Sequence, residues 1–213
     1  MSFKKRRRTD IKKISDLSMD EFKKVFPIIV KEHNPDYKKW YENETQNIMA
    51  VVRPDDIVRI NHIGSTAIEG LLAKPTIDIL LEIDGGCLVS KLVENLKTIG
   101  YGIEIFERSD DPFRLLLGKG YSVDGYAEKV FHLHVRYFGD WNELYFRDYL
   151  LAHPETAAEY GKLKLGILDG IEKGVIERIP NGKRVGYSAA KEDFVTRHTS
   201  RAKTEFQGRY SWK

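Results

Sequence analysis

The run from Pro75 to Ile83, Pro-Thr-Ile-Asp-Ile-Leu-Leu-Glu-Ile, is almost wholly apolar apart from Asp78 and Glu82. It is too short to span a bilayer, and its aliphatic and β-branched content predicts a strand covered on both faces. Such a strand needs layers above and below it, so the chain must combine a sheet with helices. A carboxylate inside it is costly to bury without a partner, so each acid there needs a reason. Side chains alternate along a strand, which places Asp78 and Glu82 on one face with Leu80 between them.

The surrounding elements follow from periodicity and punctuation. Ser18-Met-Asp-Glu21 has the spacing of a capping box, and Phe22, Val25, Phe26 and Ile29 recur at helical intervals, predicting a first helix to about His33. Asn34-Pro-Asp36 breaks the pattern, and Tyr37 to Val51 reads as a second helix burying Trp40, Tyr41 and Ile48. After a turn at Arg53-Pro-Asp-Asp56, a short strand through Ile57, Val58 and Ile60 leads into Gly64-Ser65, with a helix expected from Ser65 to Leu72.

Beyond the apolar strand, Gly85-Gly86 starts a helix through Leu88, Leu92, Val93 and Leu96, closed by Gly100, and Tyr101 to Phe106 returns as a strand. Phe113 to Leu117 and Val130 to Arg136 are two more strands, joined by a glycine-rich connection around Gly118-Lys-Gly120 and Asp124-Gly125. Helices then cover Trp141 to Leu151, Pro154 to Leu168 and, after a Pro180-Asn-Gly182 turn, Ser188 to Phe206. The expected fold is α+β: a mixed sheet of about four or five strands flanked by helices, with a helical C-terminal part from about residue 140.

The 213 residues carry 35 Lys+Arg against 32 Asp+Glu, and a formal charge of +3 does not by itself argue for nucleic-acid binding. The excess is local: Lys4 to Arg8, with Lys12 and Lys13, make residues 1–15 a basic, solvated tail, with residues 16–213 as a single globular domain. A frayed terminus accounts for such a run, and a weak RNA or phosphate contact is its secondary reading. No apolar stretch of signal-peptide or membrane-spanning type follows, so no membrane partner is expected. Cys87 is the lone cysteine; it allows neither an intrachain disulfide nor a cysteine-based zinc cluster, which fits a reducing cytoplasm.

Several side chains are candidates for chemistry. Glycine at 64 permits close backbone approach, and Ser65 either caps the next helix or bonds a phosphate oxygen. Asp78 and Glu82 together can bind a divalent cation, with Asp78 the stronger candidate because Glu82 lies near a strand end. In Phe131-His-Leu-His-Val135 the alternation sends His132 and His134 to one face, suiting a metal, a phosphate or simply hydrogen bonds on a half-exposed sheet. Lys74 stands at the strand entrance, where it reaches a phosphate or merely solvent, and Arg114 and Lys119 are weaker versions of the same idea. Arg147 and Asp148 are adjacent on a helix and point in different directions, so one serves packing or a buried ion pair while the other faces the site. His153-Pro154 marks a helix junction.

His62-Ile-Gly-Ser-Thr-Ala67, Lys74-Pro-Thr-Ile-Asp-Ile79, His132-Leu-His-Val135 and Phe146-Arg-Asp-Tyr-Leu-Leu-Ala-His-Pro154, in this order, resemble the GrpB family. Tyr160, Leu163, Lys164 and Ala190-Lys191 also fit, so the resemblance runs from Pro54 to Phe206. It implies the nucleotidyltransferase superfamily with its polymerase-beta-like palm; the family also occurs fused behind dephospho-CoA kinase in some proteins. In that superfamily the glycine-serine pair, here Gly64-Ser65, holds a nucleoside triphosphate, and strand carboxylates bind two Mg²⁺ ions.

This chain departs from the scheme where the usual second acid falls on Leu80; Glu82, His132 and His134 are the residues available to replace the missing ligands. Ile68-Glu-Gly70 also replaces the family's valine-proline-glycine turn. Imidazole suits Zn²⁺, Mn²⁺ or Fe²⁺ better than Mg²⁺. The resemblance implies transfer of a nucleotidyl group from a nucleoside triphosphate to a hydroxyl or amine of an unknown acceptor. Asp78 and His134 would be catalytic, Glu82 and His132 further metal ligands, and Gly64, Ser65, Lys74 and Arg147 the phosphate contacts. The alternative is an accessory module that binds nucleotide or phosphate at a degenerate site without turnover.

Overall fold

A computed structural model of the chain describes residues 18–108, 112–122, 125–177 and 186–211. The basic tail expected at 1–15 and the Pro180-Asn-Gly182 turn lie outside the described residues, as does Asp124. The helices are α1 (Met19–Val25), α2 (Tyr37–Val51), α3 (Val89–Thr98), α4 (Asn142–Ala152), α5 (Pro154–Glu172), α6 (Gly186–Ala189) and α7 (Glu192–Glu205). The strands are β1 (Ile57–Ile63), β2 (Thr76–Ile83), β3 (Ile103–Arg108), β4 (Arg114–Ser122) and β5 (Gly125–Tyr137). They form one sheet of five in the order β1-β2-β5-β4-β3, in which β2 and β5 run parallel and the other pairs antiparallel. The mixed α+β architecture with a helical C-terminal part is the one expected.

The apolar run at 75–83 is indeed covered on both sides. Ile77, Ile79, Leu81 and Ile83 join Phe131, Leu133 and Val135 of β5 in the main core, packed with Tyr37 and Ile48 of α2 and Leu92 and Leu96 of α3. On the opposite face Leu80 packs with Ile63 and Leu144 under α4. Asp78, His132 and His134 share that second face, so the C-terminal helices roof the polar side of the sheet.

Several element boundaries differ from those predicted, each for a local reason. The capping box at Ser18 and Glu21 forms, but α1 stops at Val25 because Phe26 precedes Pro27 and is held out of the helical region, at ψ 65°. The chain then runs on to an antiparallel bridge between Lys31 and Ala73. Ser65 starts only a 3₁₀ turn, Ser65–Ala67, and its side chain makes no cap; Gly70, at φ +74°, lies where the expected helix would have continued. The last predicted helix is broken into α6 and α7, which leaves Lys191 at the joint.

Gly118-Lys-Gly120 is strand, not the expected connection. β4 and β5 pair through it as one long antiparallel ribbon with a register shift between Lys119 and Tyr121. Gly120 has φ +91°, and a Cβ there would lie 2.3 Å from the Lys129 carbonyl oxygen, so glycine is needed for the bulge. By strict alternation Tyr121 would fall beside Leu115 and Leu117 in the main core. The bulge turns it to the other face, where its ring lies over Gly118 opposite His132.

Candidate metal centre

Parallel pairing of β2 with β5 puts Asp78 beside His132 and Leu80 beside His134. Asp78 Oδ1 is 3.3 Å from His132 Nδ1 and 3.2 Å from His134 Nε2. The three groups offer ligand atoms that all lie within 4.8 Å of one another. Burial pushes the Asp78 carboxyl up, but hydrogen bonds to both imidazoles outweigh it and hold the group well below the usual carboxylate range. Burial also lowers His132, against the pull of Asp78, so this ring favours its neutral form, the form that ligates metals.

The far nitrogen of His132, Nε2, meets the Tyr121 hydroxyl at 2.6 Å. Burial raises the tyrosine pKa, so the phenol stays protonated. In one tautomer the phenol donates to Nε2 and Nδ1–H donates to Asp78; in the other, Nε2–H donates to the phenol oxygen and Nδ1 presents its lone pair inward. A metal-ligating histidine ordinarily donates its second N–H to such an outer partner. One carboxylate and two imidazoles are a fitting donor set for Zn²⁺, Mn²⁺ or Fe²⁺, and a poor one for Mg²⁺.

Gly64 closes the site from the β1 end. Its φ is +73°, and a Cβ would come within 2.5 Å of Asp78 Oδ2, so only glycine lets the turn lie against the carboxylate. Ser65 Oγ accepts a 2.8 Å hydrogen bond from Lys164 Nζ. Lys164 is 1% exposed, and burial, reinforced by the charge of Lys191, brings its pKa down to about 7. Lys191 is lowered to about 8 by burial, against the attraction of Asp78, with Lys74 adding to the lowering.

Two cavities, of ≈ 690 Å³ and ≈ 500 Å³, meet at Ser65, Asp78, Ser188 and Lys191. His134, Arg114, Trp141 and Arg147 line the larger; His132, Lys74, Phe22 and Phe26 line the smaller. The candidate residues thus assemble around Asp78, Glu82 and Lys119 excepted. Glu82 is fully buried and ion-paired with Arg59, which stands opposite it on β1, and its Oε1 accepts the Gly139 N–H at 3.2 Å. Antiparallel register, which alternation along β2 does not reveal, gives this acid its own cation.

Arg147 lines the larger cavity but is tied down. It donates to Asn61 Oδ1 at 3.0 Å, to the His62 carbonyl at 3.1 Å and to the Asp148 carboxylate at 2.7 Å. Asp148, instead of diverging from it, also accepts from Tyr210 and Arg209. Lys119 lies outside the site in an ion pair with Glu44, and His153 pairs with Glu205 at the α4–α5 junction. Tyr121, Lys164 and Lys191 join the site although the sequence patterns give none of them a role. Lys164 did carry a signal: it shares the buried face of α5 with Tyr160 and Ile167, where an apolar residue belongs. Tyr121 and Lys191 owe their places to a bulge and a helix break that periodicity does not announce.

The family model described as GrpB protein matches residues 27–201. The chain is 33% identical over 181 residues to the glutamate-rich protein GrpB of Alkalihalophilus pseudofirmus, covering 79% of this chain and 91% of that protein. It is also 33% identical over 135 residues to UPF0157 protein YqkA of Bacillus subtilis, of which it spans only 37%. The crystal structure of conserved protein GrpB from Enterococcus faecalis superposes with a TM-score of 0.67 at 26% identity, covering 84% of this chain and 99% of that one. No helix among the described residues is long and apolar enough to cross a membrane.

Proposed function

Because this chain belongs to the GrpB family, and because an acid and two histidines converge beneath a glycine-serine turn, we propose that it is a metal-assisted nucleotidyltransferase. It would transfer a nucleotidyl group from a nucleoside triphosphate to a hydroxyl or amine of an acceptor. The observation that carries this reading is the position of Asp78, His132 and His134 at the junction of two cavities, one for each reactant.

Asp78, His132 and His134 would hold one divalent ion, Mn²⁺ or Zn²⁺ in preference to Mg²⁺. When bound, such an ion polarises a phosphoryl oxygen as a Lewis acid. Gly64 keeps the turn close to the carboxylate, and Ser65 lines both cavities. Lys74 and Lys191, facing the smaller cavity, offer positive charge to the phosphates and to charge developing on the leaving group. Leu80 occupies the place of the second acid and is committed to packing with Ile63 and Leu144, which supports a single-ion site.

Leu80 equally supports a second reading, in which the protein binds nucleotide without turning it over. The two separate in one experiment with α-labelled nucleoside triphosphates and Mn²⁺, Zn²⁺ or Mg²⁺. Transfer predicts pyrophosphate release and label on an acceptor, lost in Asp78→Ala by about 100-fold or more. Equal release by both proteins sinks the transferase. Nucleotide-induced thermal stabilisation that survives Asp78→Ala and needs no metal would establish the binding module instead.

A further inference from the structure

We propose that Ser65 is a nucleophile and Lys164 the base that activates it, the Ser65 hydroxyl attacking a phosphorus centre that carries a good leaving group. Lys164 Nζ lies 2.8 Å from Ser65 Oγ, within proton-transfer reach. Among the described residues its other contacts are the Leu72 carbonyl, which accepts a second N–H, and the face of the Tyr160 ring at 4.3 Å. A buried lysine kept for structure ordinarily has a carboxylate beside it. This one is surrounded by a hydroxyl, a carbonyl and an aromatic ring.

Tyr160, one turn back on α5, stays protonated because burial raises its pKa. Ser65 and Leu72, from the β1–β2 connection, are neutral, and the charge felt from the α6–α7 joint is that of Lys191. A lone ammonium in this setting is costly, so the amine loses its proton readily. The neutral amine keeps an N–H for Leu72 and turns its lone pair to the Ser65 hydroxyl, as an activated nucleophile requires.

Access separates the two partners. Ser65 lines both cavities, whereas Lys164 lines neither and is 1% exposed. A lysine sealed in this way does not touch a substrate phosphate; it acts on the cavity only through Ser65.

In the step itself the Ser65 proton passes to Lys164 Nζ as the Oγ–P bond forms. The bond from phosphorus to the leaving oxygen breaks and its electron pair departs with the leaving group. If the donor is a nucleoside triphosphate, an identification that rests on the function proposed above, pyrophosphate leaves and Ser65 carries a nucleotidyl phosphodiester. An acceptor hydroxyl or amine then attacks that phosphorus, its proton is released, and Oγ recovers its own proton from the Lys164 ammonium.

An alkyl fluorophosphonate tests the nucleophile independently of any nucleotide, since Oγ displaces fluoride from phosphorus. The expected result is label on the peptide containing Ser65, absent in Ser65→Ala and slowed about 100-fold in Lys164→Arg, which keeps the charge but cannot serve as base. In the wild type the labelling rate should rise with pH through a midpoint at about 7. No label on Ser65, or wild-type rates in Lys164→Arg, overturns the proposal. Should that variant fail to fold, a flat wild-type profile between about pH 5 and about pH 9 overturns it instead. Fluorophosphonate labelling without pyrophosphate release from any triphosphate retains the dyad and rejects the nucleotide donor. Pyrophosphate release undiminished in Ser65→Ala rejects the dyad and retains direct transfer.

Discussion

Tyr121 and His132 meet at 2.6 Å because the bulge at Gly120 turns the tyrosine onto the sheet face that carries Asp78. The phenol orients the imidazole from behind while Nδ1 faces the carboxylate, so the outer contact sets the aim of the inner one. Tyr121→Phe should therefore weaken Mn²⁺ or Zn²⁺ binding by about 10- to 100-fold while leaving the fold nearly unchanged. Titration calorimetry with each ion measures this, and an unaltered affinity would show the hydroxyl to be idle.

Metal addition should itself stabilise the folded chain, by about 2.7 kcal/mol when the free ion is at one hundred times its dissociation constant. The stabilisation should disappear in Asp78→Ala, which removes the single carboxylate of the three-residue cluster. Thermal melts with and without chelator, on both proteins, make the comparison.

Gly64→Ala should damage the site more than its size suggests. The new methyl would sit 2.5 Å from Asp78 Oδ2 on a backbone at φ +73°, so either the turn or the carboxylate must move. Backbone strain of about 1–3 kcal/mol is expected together with loss of metal affinity. A variant that melts like wild type and binds metal normally would show that the turn has slack.

His62 should steepen acid unfolding. Burial lowers its pKa to about 4, with Asp78 opposing and Arg147 assisting, whereas the unfolded residue titrates at about 6.5. Between these values the unfolded chain binds the extra proton, so stability is full above about 6.5 and falls as the pH drops toward 4. His62→Gln should reduce the slope of stability against pH in that window by up to about one proton. Urea titrations at stepped pH give the slope, and no change would remove His62 from the account.

Glu44 and Lys119 form an ion pair with Nζ–O contacts of 2.7 and 2.8 Å, and Lys119 also lies near the Tyr101 and Phe131 rings. Glu44 is almost wholly enclosed, so Lys119→Met alone, which strands its carboxylate, should cost about 3 kcal/mol. Adding Glu44→Leu should recover most of that loss. A double variant as unstable as the sum of the singles would argue against the coupling.

The parts of the molecule legible beforehand are those where a single period governs. Ile77, Ile79, Leu81 and Ile83 announced a strand covered on both faces, and His132 and His134 shared a face by alternation alone. What stayed hidden depends on contacts between distant segments. Glu82 keeps the alternation expected of it, yet the register with β1 hands it to Arg59. Tyr121 escapes the alternation through one inserted residue, and Ser65 is engaged by Lys164 where a cap was expected. Gly118 and Gly120 lie in β4 where a connection was expected, because glycine marks a bulge within a strand as readily as a loop.

The parallel pairing of β2 with β5 has a consequence for how the protein is assembled. His132 and His134 share one face of β5, and the local β4–β5 hairpin is enough to hold that strand extended. Asp78 joins them only through the pairing of β5 with β2, across the chain that carries α3, β3 and β4. A partly folded chain would then hold two imidazoles without the anion, and full metal affinity would mark the molecules whose sheet is complete.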